Sequence, residues 1–235
     1  MLLPARLASF YLRCKVKTGR RRTLKFQMIE DSQAFAVILA AGSSTRMGRE
    51  KAGLPWLNGQ PLLLWMVEAL SEVGWDIRVV LGATQFECWV PLLPAGCAVF
   101  NPHPEHGKTT SLIAGVTAVP HTAKHILVTA VDQPRPPSVY SGLLEAARSC
   151  KQTILVPDRE GHRGHPVVFP GFFREQLLST NEDTAGLRGI LARHEVEKLQ
   201  GFDPEALGWD LNTPFDYEGA LAYFQRTKKA SSPGR

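Results

Sequence analysis

The chain is predicted to fold as an α/β layer sandwich around a mostly parallel sheet, and three observations predict it. From Phe35 onward, short apolar runs alternate with segments of helical period. The first of these runs is apolar without a polar alternation, the mark of a strand covered by helices on both faces. The length of 235 residues, 44% hydrophobic and 21% charged, suits a single core, because one core stops growing at roughly 250–300 residues. This composition excludes a disordered chain, and nothing repeats with a collagen or solenoid period. The longest apolar run, residues 34–41, is eight residues long, where a membrane-spanning helix needs about 20.

The first strand is expected over 36–40, ending in Gly42. A helix follows over 61–73, where Leu62, Trp65, Met66, Ala69 and Leu70 recur at helical spacing between an initial Pro61 and a terminal Gly74. Residues 77–81 form the next strand, stopped by Gly82, and 98–100 a short one. A helix over 110–119, a strand over 126–131 and a helix over 137–150 continue the alternation. Strands at 153–156 and 166–169, a helix at 184–194 and a closing helix at 215–228 complete it.

The formal net charge of +5 suggests a polyanionic partner, so its distribution matters. Residues 1–27 hold Arg6, Arg13, Lys15, Lys17, Arg20, Arg21, Arg22 and Lys25 and no acid. The rest of the chain is left with 19 of the 27 basic residues against all 22 acidic ones, a net of −3. The basic segment has three readings: an organellar transit peptide, an arm for nucleic acid or a membrane surface, or a dispensable stretch ahead of a start at Met28. The body itself calls for neither nucleic acid nor membrane. Cys14, Cys88, Cys97 and Cys150 show no CxxC spacing and read as reduced structural thiols of a cytoplasmic protein.

In parallel sheets ligands bind beyond the carboxyl ends of strands, which directs attention to three loops. After the first strand comes Leu39-Ala-Ala-Gly-Ser-Ser-Thr-Arg-Met-Gly48, then Lys51. Small residues let backbone N–H groups approach a polyphosphate, and Arg46 and Lys51 supply positive charge. The spacing fits neither a Walker loop nor a GxGxxG fingerprint. After the third strand, Asn101-Pro-His-Pro-Glu-His-Gly107 leads into a helix whose first N–H groups are free to bind a ligand. His103 and His106 read as solvated loop residues or as two metal ligands lacking a third. After the strand at 126–131 comes Asp132-Gln133-Pro134. A carboxylate there either holds Mg2+ or caps a turn; beside the glycine-rich loop the cation reading prevails.

Leu39-Ala-Ala-Gly-x-Ser-x-Arg-Met-Gly-x-x-Lys51 resembles the signature of nucleotidyltransferases with a Rossmann-like NTP-transferase domain. That superfamily includes sugar-nucleotide pyrophosphorylases, the isoprenoid cytidylyltransferase, and the molybdenum cofactor guanylyl- and cytidylyltransferases. The resemblance implies a Rossmann-like three-layer sandwich with a mostly parallel mixed sheet. It implies that Leu39, Ala40, Ala41, Gly42, Ser43, Ser44 and Lys51 hold the triphosphate, with Arg46 and Lys51 offsetting charge during transfer. Asn101, Gly107 and Ser111 are implied for base and ribose recognition. Asp132-Gln-Pro134 is similar to the segment of molybdenum cofactor cytidylyltransferases. Gly164-His165-Pro166 resembles their acceptor strand, joined on the acceptor side by Gln133. Asp183, Gly186 and Arg188 resemble a Gly-Asp-x-Gly-Ala-Arg element, although Glu182 and Leu187 depart from it and one residue is added. Trp209-Asp-Leu-Asn-Thr-Pro-Phe-Asp216 resembles the closing Asp-x-Asp/Asn-Thr-Pro-x-Asp segment, which implies Asp210 as the second metal ligand; Asn212 stands where Asp is frequent. Thr213 and Asp216 are expected to cap the last helix.

The expectation is therefore an Mg2+-dependent nucleotidyltransferase over residues 34–228, flanked by a basic extension, 1–33, that is disordered or dispensable, and a tail, 229–235. An acceptor oxygen attacks the α-phosphorus of a nucleoside triphosphate, CTP or GTP, and pyrophosphate leaves. The implied acceptor is the molybdenum–molybdopterin cofactor or another phosphorylated compound, with a molybdoenzyme or its chaperone as protein partner. Two alternatives stand beside CMP transfer: a guanylyltransferase or related enzyme of the same fold with a different acceptor, and a non-catalytic NTP-binding delivery module.

Overall fold

A computed structural model describes residues 33–42, 49–149 and 152–230. Residues 1–32 of the basic extension, with Cys14, and Ser43, Ser44, Arg46 and Cys150 lie outside the described residues. Strand β1 (Ala34–Leu39) runs through the middle of an eight-stranded sheet. It pairs in parallel with β2 (Asp76–Leu81) on one side and β4 (His125–Ala130) on the other. β3 (Ala98–Phe100) lies parallel outside β2. Beyond β4 the direction changes: β7 (Val167–Pro170) is antiparallel to both β4 and β5 (Ile154–Arg159). The far end of β5 makes a hairpin with β6 (His162–Arg163), and β8 (Val196–Leu199) pairs with β5 in parallel. The sheet is thus mixed and mostly parallel, as expected.

Side chains alternate across the sheet at period two, and the core divides accordingly. Ala36, Ile38, Ile77, Val79, Leu127, Leu155 and Val168 point to one face. There they meet α1 (Leu62–Glu72), α2 (Ala83–Trp89), α4 (Pro137–Ser149), α7 (Pro204–Gly208) and α8 (Pro214–Ala230) through Met66, Trp89, Tyr140, Leu207 and Phe224. Phe35, Val37, Val80, Ile126, Val128, Ile154 and Phe169 point to the other, against α3 (Lys108–Thr117), α5 (Arg174–Leu178) and α6 (Gly186–Arg193). This is a three-layer sandwich. Burial on both sides explains why these strands carry continuous apolar sequence.

Local signals set the helix ends. Gly74, at φ +102°, stops α1 with its N–H on the Ser71 carbonyl, a conformation that glycine adopts without steric cost. α8 opens with a reciprocal capping box in which Asp216 Oδ2 accepts from the Thr213 N–H at 2.8 Å, and Thr213 Oγ1 accepts from the Asp216 N–H at 3.2 Å. The expected caps are therefore present. α3 approaches the sheet through Gly115, where a Cβ would stand 2.3 Å from Val37 Cγ1 and 2.8 Å from Val80 Cγ2.

Several elements lack a strong local signal and differ from expectation. β8 carries glutamate and lysine at its two exposed positions, Glu197 and Lys198, so its sequence does not resemble a buried strand. Helices α2, α5 and α7 span seven, five and five residues, too short to display a helical period. The helix expected from residue 184 starts at Gly186, because 182–185 form a turn with Ala185 at φ +59°. Among the described residues no helix is long and apolar enough to cross a membrane.

Cys97 is buried, and burial pushes its thiol up to about 11. Only the thiolate is nucleophilic. Cys97 is therefore expected to resist iodoacetamide in the folded protein at pH 8 and to react after unfolding, as measured by peptide mapping. Rapid native labelling would contradict its burial.

Candidate active site

The strand order turns at β1, with β2 to one side and β4 to the other, and such a switch point opens a crevice at the strands' carboxyl ends. The ends of β1 and β4 are tied there by the Val131 N–H on the Leu39 carbonyl, 3.0 Å. Ala40 donates to the Val80 carbonyl at 2.9 Å, so Leu39, Ala40 and Ala41 leave the sheet in register. Gly42 is exposed, with open space around a Cβ position. The segment expected to wrap the triphosphate thus starts directly above the switch point.

Asp132 follows β4 at the same level. Its Oδ2 accepts from Lys51 Nζ at 2.7 Å, and Lys51 also donates to Asn212 Oδ1 at 3.2 Å. The segment 209–212 is held close by the Leu211 N–H on the Asp132 carbonyl, 2.8 Å. Asp210 turns toward Arg135, whose Nη2 donates to Asp210 Oδ1 at 3.2 Å. Lys51, Asp132 and Asn212, up to 161 positions apart in the chain, are thus in direct contact, and the Leu211 bond brings Asp210 alongside. Their donors fit a hard divalent cation, which prefers carboxylate and carbonyl oxygens: two carboxylates, each with one oxygen on a basic side chain, and an amide oxygen beside them. Lys51 bonds to a candidate cation ligand, where sequence reasoning gave it only to phosphate.

The acceptor segment adjoins this cluster. Gly164 N–H donates to the Pro157 carbonyl at 2.9 Å, and a Cβ there would lie 2.7 Å from the same oxygen; only glycine fits. The His165 carbonyl accepts from Arg135 Nε at 3.1 Å. Burial lowers the pKa of the His165 ring; Asp210 opposes that shift, and Arg135 and Lys108 reinforce it. Pro166 is buried and Gln133 half-buried.

The loop between β3 and α3 is more self-contained than expected. Asn101 is buried and uses its amide internally, donating to Thr110 Oγ1 and Ser111 Oγ at 3.0 and 2.9 Å and accepting from the His103 N–H at 3.0 Å. It fixes the start of α3, and Ser111 is buried with it. Gly107 opens the helix at φ +108°. Glu182 Oε1 reaches the Thr109 N–H and hydroxyl at 3.0 and 2.8 Å, and these bonds lower the Glu182 pKa. Glu182 thus caps α3 from 73 residues away, at the position where the resemblance expects glycine. Asp183 and Arg188, the expected acceptor binders of that element, are exposed, and neither side chain makes a hydrogen bond among the described residues.

His103, Glu105 and His106 form an exposed cluster, with Glu105 Oε1 at 3.3 and 3.7 Å from the ring nitrogens. The rings stack 10° from parallel at 5.1 Å. In-plane lone pairs of two stacked rings do not meet at one point, so the cluster reads as a solvated turn. Arg135 was not singled out by sequence reasoning, although an arginine directly after Asp-Gln-Pro at a strand end was the available signal.

The fold is a Rossmann-like α/β three-layer sandwich around a mixed, mostly parallel sheet, and the chain shares that fold with solved nucleotide-using enzymes such as a CMP:2-keto-3-deoxy-manno-octonic acid synthetase. Residues 36–198 match the MobA-like NTP transferase domain, and the chain belongs to that nucleotidyltransferase family. It is 33% identical over 187 residues to the nicotine blue oxidoreductase of Paenarthrobacter nicotinovorans, across 75% of this chain and 91% of that protein. It is 30% identical over 204 residues to the molybdenum cofactor guanylyltransferase of Rhizobium meliloti, across 80% and 90% respectively. A Mycobacterium tuberculosis protein solved in complex with manganese shares the fold, with a TM-score of 0.62 at 22% identity over 81% of this chain and 98% of that one.

Proposed function

We propose that the protein transfers a nucleoside monophosphate from a nucleoside triphosphate to a phosphorylated acceptor of the molybdopterin type, releasing pyrophosphate. The observation that supports this most is the gathering of Lys51, Asp132, Asp210 and Asn212 at the switch point. Such a transfer asks little covalent chemistry of a protein and much positioning and charge stabilisation. Asp132 and Asp210 hold Mg2+ or Mn2+, which when bound polarises the α-phosphate and screens its charge. With a cation on Asp132, Lys51 would turn its ammonium to the triphosphate, where Arg46 and the backbone of 39–44 would also act. The His165 segment and Gln133 orient the acceptor, whose phosphate oxygen forms the new P–O bond as the bond to pyrophosphate breaks. The catalytic unit is residues 34–228.

Two features bear on the base. The guanylyltransferase name of the Rhizobium relative favours GTP. Asp132-Gln133-Pro134, similar to the cytidylyltransferase segment, favours CTP. Each of the four triphosphates is to be incubated with molybdopterin cofactor and Mg2+, and the products weighed by mass spectrometry. A dinucleotide from GTP or CTP alone is expected. The name of the Paenarthrobacter relative raises an oxidoreductase reading, but paired carboxylates beside a lysine suit a metal triphosphate better. Tight nucleotide binding with no product from any acceptor would instead mark a delivery module.

A further inference from the structure

Arg135 is the most deeply buried charged side chain among the described residues, 1% exposed, and the transfer proposed above gives it no ligand to bind. An ion buried this way incurs a desolvation cost that packing alone would not require. Its surroundings show what the guanidinium does. Nε donates to the His165 carbonyl at 3.1 Å. Nη1 donates to the carbonyls of Pro134 and Trp209 at 2.9 and 2.6 Å, and Nη2 to Asp210 Oδ1 at 3.2 Å. The Arg135 N–H is itself fixed on the Tyr140 hydroxyl at 3.2 Å. One planar, rigid fork thus joins the loop after β4, the segment before β7 and the segment before α8.

We propose that Arg135 is a positioning residue that sets the Asp210 carboxylate for the cation and holds the His165 segment in the same frame. Cation and acceptor subsites then form as one unit. This rests on the nucleotidyl-transfer reading of the site. Asp210 gives Oδ1 to the guanidinium, which would leave Oδ2 to a cation, so Arg135 would orient the ligand without touching substrate. Such outer partners of metal ligands are worth about 10–100-fold in affinity or activity. A lysine cannot replace it, because three donors on a single ammonium do not span four acceptors spread around a plane.

The test is Mn2+ titration of the full chain without nucleotide, with free Mn2+ read by electron paramagnetic resonance, for the unaltered protein, Arg135→Met, Arg135→Lys and Asp132→Asn. Melting temperatures and the acceptor KM and kcat are measured alongside. Both Arg135 variants are expected to raise the Mn2+ Kd about 10–100-fold and to raise the acceptor KM. If Arg135→Met does not fold, Arg135→Lys, which keeps charge and stem, decides the matter. A folded Arg135→Lys protein with a lower melting temperature but unaltered Mn2+ Kd and acceptor KM overturns the proposal and leaves a purely structural role. Equal Mn2+ binding by the unaltered protein and Asp132→Asn, or none by either, overturns the cation-site reading and this proposal with it.

Discussion

Asp132→Asn is expected to slow pyrophosphate release by about 10²–10³-fold or more, the scale of losing one preorganised electrostatic contact to a transition state, while the protein melts within a few degrees of the unaltered one. The substitution keeps the shape of the side chain and the Leu211 bond to the residue 132 carbonyl. It removes one of the two negative charges proposed to hold the cation. It also weakens the hold on Lys51 Nζ, now 2.7 Å from Asp132 Oδ2. Lys51 Nζ keeps its bond to Asn212 Oδ1 at 3.2 Å, and the amide oxygen of the asparagine introduced at position 132 still offers it an acceptor, so Nζ is not left without partners and the loss of stability is modest. The effect therefore falls on turnover and on cation affinity. Steady-state pyrophosphate release across an Mg2+ series measures both.

Gly115→Ala is expected to lower stability by about 1–3 kcal/mol, the usual cost of forcing an extra methyl into a packed core. For a domain of this size that is about 2–12 °C in melting temperature. The Cβ would meet Val37 Cγ1 at 2.3 Å and Val80 Cγ2 at 2.8 Å. Both valines are fully buried, on the central strand and its neighbour, so neither can swing aside, and α3 must lift. Because Asn101 bonds to Thr110 and Ser111, the lift reaches the loop at the candidate nucleotide site. Calorimetry reads the first effect and nucleotide KM the second. An unchanged melting temperature would contradict the close approach of α3.

The sheet's order of alternation is legible because the strands that build the core are buried on both faces, and continuous apolar runs such as Ala34–Leu39 betray them. β8 is not, since half-exposed Val196–Leu199 draws its identity from the edge of β5 beside it. Strand ends carry a second signal: Asp132 stands out there beside the glycine-rich loop, whereas Asp210, which follows the short helix α7, is reached only through the resemblance of 209–216 to the closing segment. What escaped is pairing across the chain. Arg135 and Asp210 stand 75 positions apart, and Thr109 and Glu182 73. No spacing rule connects them, and only the folded backbone brings a helix start and a distant carboxylate together. Asn101 illustrates the reverse case, a residue expected at a ligand and found bracing the loop beneath it.

The proposal that the same few side chains hold the cation and orient the acceptor is open to one direct test. Pyrophosphate release with GTP or CTP, molybdopterin cofactor and Mg2+ is measured for the unaltered protein, Lys51→Ala and Asp132→Asn. The account predicts cation-dependent release by the unaltered protein and its near-complete loss in both variants, each still folded. Release at the unaltered rate in both variants would mean that the chemistry occurs elsewhere, and the site would be wrongly assigned.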